Sequence, residues 1–222
     1  MHAVVLVLFL AVVFLGEPVL ERAVNGRRVG PMTKPGPDGI IRTDPAALAR
    51  AAGLEVNVYA LARSLSSEHG RDGDSYLRAV AWATRNKARE RGITILQLLT
   101  DGKGVAGDGF FGEQKAAAGT KYASTQLDPY ERHVRIALEV MGAPLSADPT
   151  RGATHYYSPR ASDQLAARAE TDPNYAKYRG NTAAVVDARW RAPGGLYPEG
   201  AVPVVPPGVN PRQLTLYRRA TA

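Results

Sequence analysis

The chain has no cysteine in 222 residues. Disulfides and thiolate metal sites are therefore excluded. Its four histidines, at 2, 69, 133 and 155, show no metal-ligand spacing, and HExxH is absent. Neither a metal nor a cofactor is expected. The glycines match neither GxGxxG nor GxxxxGK[ST], so no nucleotide-phosphate loop is read from them. Lys and Arg form no basic stripe, and specific nucleic-acid binding is not expected.

What is present is enough apolar residue for a core, 45%, and a net charge of +7 with a pI of about 9.8. Such a chain is attracted to anionic polymers: nucleic acid, acidic membrane or the charged bacterial wall. The length suits one domain with appendages. Residues 3–16 are uncharged and almost wholly apolar. A spanning helix needs about 20 residues, and the run reaches that length if extended to Val24 with Glu17 and Glu21 at the headgroups. Only Met1 and His2 precede it, so the basic n-region of a cleaved signal is missing. Residues 1–24 are read as an uncleaved N-terminal anchor and the protein as membrane-associated. The basic residues at 22, 27, 28 and 34 all follow the run, which favours a cytoplasmic domain. Asn25-Gly26, Gly30-Pro31 and Pro35-Gly36-Pro37-Asp38-Gly39 make 25–43 a linker.

The folded domain is placed at 44–190, and the class is mainly α, with a Gly-rich loop and a small extended element. Asp44-Pro45 opens a short helix closed by Gly53. Leu54, Val58, Leu61, Leu65 and Glu68 then recur at steps of four and three, one face of a helix. Asp74 caps a helix to Arg91 with Leu77, Val80, Ala81, Thr84 and Ala88 inside and Gly92 at its end. Thr94 starts another through Leu99. Asp128 and Glu131 suggest a capping box, ahead of a face of Tyr130, Val134, Ala137, Leu138 and Met141. Asp148–Gly152 is a turn, 153–159 is extended, and Ser162 caps a last helix to about Thr171. The Pro- and Gly-rich segment 191–222 is read as irregular, lying over the domain through Leu196, Tyr197, Val202, Val204 and Val205.

Glu68 continues an apolar stripe at a helix end. Against a core, burial disfavours its ionised form and raises its pKa, and a carboxyl that holds its proton near neutrality can protonate a leaving group. The same spacing also fits an ordinary Glu in a frayed last turn before Gly70. Residues 100–126, broken by Gly102, Gly104, Gly107, Gly109, Gly112 and Gly119, mix aromatics with amides. Gln114, Tyr122, Ser124 and Thr125 are candidate groove residues, because sugar rings stack on aromatic faces and their hydroxyls seek amides. Glu113 is a rival acid in that loop, or a solvated residue. Tyr156 and Tyr157 alternate on an extended piece, one toward a groove and one toward the core. Asn86 either orients Glu68 or substrate, or bonds a neighbouring loop. His155 reads as a structural hydrogen-bonder, and Trp82 and Trp190 as core.

Glu68-His69-Gly70-Arg71-Asp72, followed by Ala79-Val80-Ala81 and Arg85-Asn86-Lys87, resembles the core of the spore-cortex-lytic and cell-wall hydrolase family. Asp148-Pro149-Thr150-Arg151-Gly152-Ala153 with Tyr156-Tyr157-Ser158-Pro159 is similar to that family's D-P-T-x-G-A segment. The resemblance covers about residues 54–160. The chain departs from it at Asp72, where the family has a second Glu, at Lys87, where it has Arg, and at His155, where it has an aromatic. The resemblance implies a lysozyme-like core acting on peptidoglycan glycan strands, with Glu68 as catalytic acid and, in the lytic-transglycosylase route, no second carboxylate. Asp72 or Asp74 is the candidate second carboxylate of a hydrolase. A reading from another class is a non-enzymatic wall-binding or virion structural protein on the same frame. A bacterial envelope enzyme and a phage entry or lysis enzyme both fit.

Overall fold

The computed structural model describes residues 45–69, 73–100, 129–197 and 200–220, together with Gly26. The expected anchor, all of the linker but Gly26, and the loop from 101 to 126 lie outside these residues. Among the described residues no helix is long and apolar enough to cross a membrane. These residues form a mainly helical structure with a small three-stranded antiparallel sheet.

The helical part begins with α1 (Pro45–Ala51), whose end is marked by Gly53 at φ +70°. Next comes α2 (Val56–His69). Its first turn is satisfied by Glu55, whose carboxylate accepts the Asn57 and Val58 amides at 2.9 and 3.1 Å. Then α3 (Asp74–Arg91) runs to Gly92, which takes the left-handed conformation at φ +63° and donates its N–H to the Ala88 and Arg89 carbonyls. That is the glycine stop expected from the sequence. The expected inner face of α3 is buried throughout, as are Trp82, Asn86 and Lys87. A reciprocal capping box opens α4 (Ile95–Thr100): Thr94 Oγ1 accepts the Gln97 amide, and Gln97 Oε1 accepts the Thr94 amide.

After the loop, α5 (Glu131–Gly142) starts from Tyr130, an N-cap residue whose side chain makes no capping bond. The expected partner Asp128 lies outside the described residues. Leu138, expected inside, is 50% exposed, whereas His133, Val134, Ile136, Ala137 and Val140 are buried. The face is thus rotated toward His133 and Val140.

A 3₁₀ turn at Leu145–Ala147 leads to β1 (His155–Tyr157). Helix α6 (Pro159–Ala169) begins earlier than expected: its N-cap is Ser158, whose side chain accepts the Ala161 amide, with Pro159 at the first helical position. Ser162 lies inside it and returns its hydroxyl to the Ser158 carbonyl. A second 3₁₀ stretch (Pro173–Tyr178) and α7 (Ala183–Arg191) follow.

The C-terminal segment is not wholly irregular. It supplies β2 (Val202–Val204) and β3 (Thr215–Arg218), and β3 is the central strand, between β1 and β2. Tyr156 stands opposite Leu216 on one side and Val204 opposite Leu216 on the other. Pro203 lacks an amide hydrogen, but β2 is an edge strand and tolerates it.

Helix α2 is the hub of the bundle, packing against α1, α3, α4 and α5, while α3 also touches β1. The sequence presents α2 as amphipathic; the structure buries every residue from Val58 to Ser66. Neighbours on several sides leave no solvent face there. Leu214 and Leu216 are fully buried in the same core as Leu61, Leu65 and Leu77, so the C-terminal segment is part of the packing.

Removing the Leu216 side chain should therefore cost about 2–5 kcal/mol. Leu216→Ala is expected to lower the urea midpoint accordingly, read by circular dichroism. Leu196→Ala, at a position 40% exposed, should move stability by no more than about 0.5 kcal/mol.

Candidate active site

Glu68 falls in the last turn of α2. Its side chain lies outside the described atoms, as do Asp72, Glu113, Gln114, Tyr122, Ser124 and Thr125. What the structure shows is the setting of that turn. Arg63, Ser64 and Ser66, all polar, are buried just before it. The Arg63 guanidinium lies 5.8 Å from the Tyr59 ring centroid. Ser66 Oγ accepts the Tyr130 backbone N–H at 3.2 Å and sits 2.9 Å from His133 Nδ1. Buried polar groups cost free energy unless bonded, so these contacts account for a hydroxyl and an imidazole in the interior.

The motif residues Arg85, Asn86 and Lys87 each reach a different segment. Arg85 donates to the Val140 and Ala143 carbonyls at the end of α5, at 2.6 and 2.8 Å, with its guanidinium 4.9 Å from the Trp82 ring centroid. A cation satisfying the last carbonyls of a helix also suits the helix dipole. Asn86 Nδ2 lies within bonding distance of Asp148 Oδ2, Thr150 Oγ1 and the Ala153 carbonyl, at 2.8, 3.2 and 3.1 Å. Of its two expected roles, the structure displays the bond to a neighbouring loop. That loop is built on Asp148, whose carboxylate also accepts the Thr150 amide, the Thr150 hydroxyl and the Gly152 amide at 2.6–2.8 Å. The turn passes through positive φ at Arg151 (52°) and Gly152 (80°). A non-glycine residue in the left-handed region is uncommon, and the four bonds to Asp148 hold it there.

Lys87 and His155 touch each other. Lys87 Nζ is 2.9 Å from His155 Nε2 and 3.5 Å from Glu90. A protonated lysine can only donate, so Nε2 is the acceptor and the ring hydrogen sits on Nδ1. Nδ1 then donates to Thr154 Oγ1 at 3.0 Å. Burial, with Lys87 and Arg91 adding positive charge, pushes the His155 pKa down to about 4. His155 is therefore neutral at physiological pH and has a structural hydrogen-bonding part.

The two tyrosines do alternate. Tyr156 packs against the hydrophobic core. Tyr157 joins an aromatic cluster, edge-on to Trp190 with centroids 5.5 Å apart and 6.3 Å from Tyr217. Tyr197 stacks on Tyr217 at 4.2 Å, and the Tyr217 hydroxyl donates to Asp187. Desolvation raises the pKa of all three tyrosines. Trp82 is a core residue and Trp190 is half-buried.

Asp74 sits at the start of α3, where one oxygen meets Arg132 at 2.7 Å and the other Arg135 at 2.9 Å, with Arg78 at 3.8 Å. The hydrogen bond from Arg135, then Arg132, holds its carboxyl below the usual range against the opposing effect of partial burial. Both oxygens are committed to a clamp between α3 and α5. Among the described residues, no three His, Asp or Glu side chains gather as a metal site.

Sequence reasoning missed Ser66 and His133 as a pair, and Asp148 as the centre of its turn. Nothing in the spacing links residues 66 and 133. The Asp-Pro-Thr-Arg-Gly run marks a turn without showing that Asn86 holds it. No family model, curated protein or solved structure matches the chain.

The His155 environment has a measurable consequence. A histidine with pKa lowered on folding makes the unfolded state bind more protons between the two values. Stability therefore rises with pH across that window and is lost as pH falls from about 6.5 toward 4. The loss amounts to about 3 kcal/mol. Replacing His155 by Phe should flatten the pH dependence of the urea midpoint between 6.5 and 4 relative to the unaltered chain.

Proposed function

We propose that the chain cleaves peptidoglycan, with a lysozyme-like helical core and Glu68 as its single acid and base. The observation that supports this most is the meeting of the two motif segments. Asn86, from the first, is bonded to the Asp148–Ala153 turn of the second, at 2.8 Å to Asp148. Segments that carry a resemblance separately gain weight when they form one built feature. The backbone position of Glu68, at the end of a helix buried from Val58 to Ser66, is compatible with that role. The net charge of +7 suits an anionic wall polymer.

The reaction proceeds as follows. The Glu68 proton passes to the glycosidic oxygen between N-acetylmuramic acid and N-acetylglucosamine, and the bond from the muramic C1 to that oxygen breaks. Positive charge develops on C1 and the ring oxygen. The Glu68 carboxylate then takes the proton of the muramic C6 hydroxyl, whose oxygen bonds to C1 and closes a 1,6-anhydro ring. Glu68 ends protonated, as it began, and no water is consumed. The alternative, hydrolysis, requires a second free carboxylate in most glycosidases. Asp74 has both oxygens held by arginines, which leaves Asp72 as the hydrolase candidate and favours the transglycosylase route.

Glu68→Gln keeps the shape and removes the donor proton. Lytic activity on purified peptidoglycan is expected to fall by about a hundredfold or more, with the circular dichroism spectrum unchanged. Mass spectrometry of the soluble products should find 1,6-anhydro ends, lighter by one water than reducing ends. Near-normal lysis by a folded Glu68→Gln protein would overturn the assignment, and reducing muramic ends would turn the mechanism to hydrolysis.

A further inference from the structure

The turn that carries Glu68 is tied to the start of α5 by a buried knot. One hydroxyl makes both of its bonds there. Ser66 Oγ accepts the amide hydrogen of Tyr130, the N-cap residue of α5, at 3.2 Å. It also lies 2.9 Å from His133 Nδ1, in the first turn of that helix. Either tautomer serves: Nδ1 accepts the hydroxyl hydrogen or donates to its oxygen. His133 is fully buried and Tyr130 nearly so, and their ring centroids are 5.9 Å apart. A buried amide donor without an acceptor is costly, so the bond to Ser66 is not readily exchanged for another arrangement.

Ser66 precedes Glu68 by two positions in the same turn. The last turn of a helix lacks further residues to complete its hydrogen bonds and tends to fray, and Gly70 follows at once in the sequence. Apolar contact alone resists separation but permits rotation and sliding. A bond to a fixed imidazole and a fixed amide sets the rotation and height of the turn. Displacements of about 1 Å at a reacting group cost about a hundredfold in rate.

We propose that Ser66 and His133 are positioning residues for Glu68, locking the turn that bears it against α5. This rests on the reading of Glu68 as the catalytic acid. The test uses the full chain, soluble glycan strands from purified peptidoglycan, and the variants Ser66→Ala, Ser66→Thr, His133→Asn, Glu68→Gln and the double variant Ser66→Ala/Glu68→Gln. Ser66→Ala is expected to lower kcat about 10- to 100-fold with KM within about twofold, while Ser66→Thr, which retains a hydroxyl, recovers most of kcat. His133→Asn presents an amide where Nδ1 stands and should also retain most of it. In the Glu68→Gln background Ser66→Ala should add no further loss, because it acts through the missing acid. Amide hydrogen exchange should quicken at residues 66–69 in Ser66→Ala and stay unchanged in α3. An unaltered kcat in Ser66→Ala, or a full further loss in the double variant, overturns the proposal. Unchanged exchange at 66–69 overturns it whether or not the protein cleaves glycan. A wild-type protein with no lytic activity overturns the functional reading, and the exchange result then decides alone whether Ser66 holds the turn.

Discussion

The constraint on which the rest depends is the enclosure of α2. A helix with no solvent face from Val58 to Ser66 must find a partner inside the protein for each polar side chain it carries. An unbonded hydroxyl or guanidinium in the interior costs a large share of a stability that is only about 5–15 kcal/mol in total. The surroundings of α2 are therefore chosen by its polar residues as well as by its leucines. Ser66 brings in His133 and the Tyr130 amide. Bonds of this kind are directional, and they specify one packing where apolar contact alone would accept several.

The same logic explains which parts of the fold could be read in the sequence. The end of α3 and the start of α4 are written in local signals, the Gly92 stop and the Thr94–Gln97 exchange of bonds. The start of α3 is not, for Asp74, expected as its cap, lies inside the first turn behind Gly73 and bonds α5 instead. Hydrophobicity ranks Leu138 above His133, so the face expected for α5 differs from the one that is buried. His133, bonded to Ser66, lies inside with Val134, Ile136, Ala137 and Val140, and Leu138 is in solvent. Residue 66 lies on another helix, so no window along α5 contains that information. Ser158-Pro159 ends an extended stretch in the sequence, yet a serine followed by proline is equally a helix start, and α6 begins there rather than at Ser162.

The candidate site divides in a similar way. The place of Glu68 in the last turn of α2 follows from periodicity and a glycine. The work of Arg85, Asn86 and Lys87 does not, since each is defined by a distant acceptor: the end of α5, the Asp148 turn and His155. Nothing in the sequence connects Lys87 with His155, 68 positions apart. In space they are one bonded pair. There a cation donates to a neutral ring nitrogen, so the two positions are to be understood together.

The central position of β3 bears on how the chain comes to be folded. His155 pairs with Tyr217, roughly sixty positions later. At a synthesis rate of about 5–20 residues per second, β1 spends several seconds with both edges open before its neighbour exists. The helices at 45–100 also pack on one another and can gather in that interval, since short-range contacts form soonest. The sheet, and with it the burial of Leu214 and Leu216, has to come last. Until then the nascent protein exposes the apolar surface that those leucines later cover.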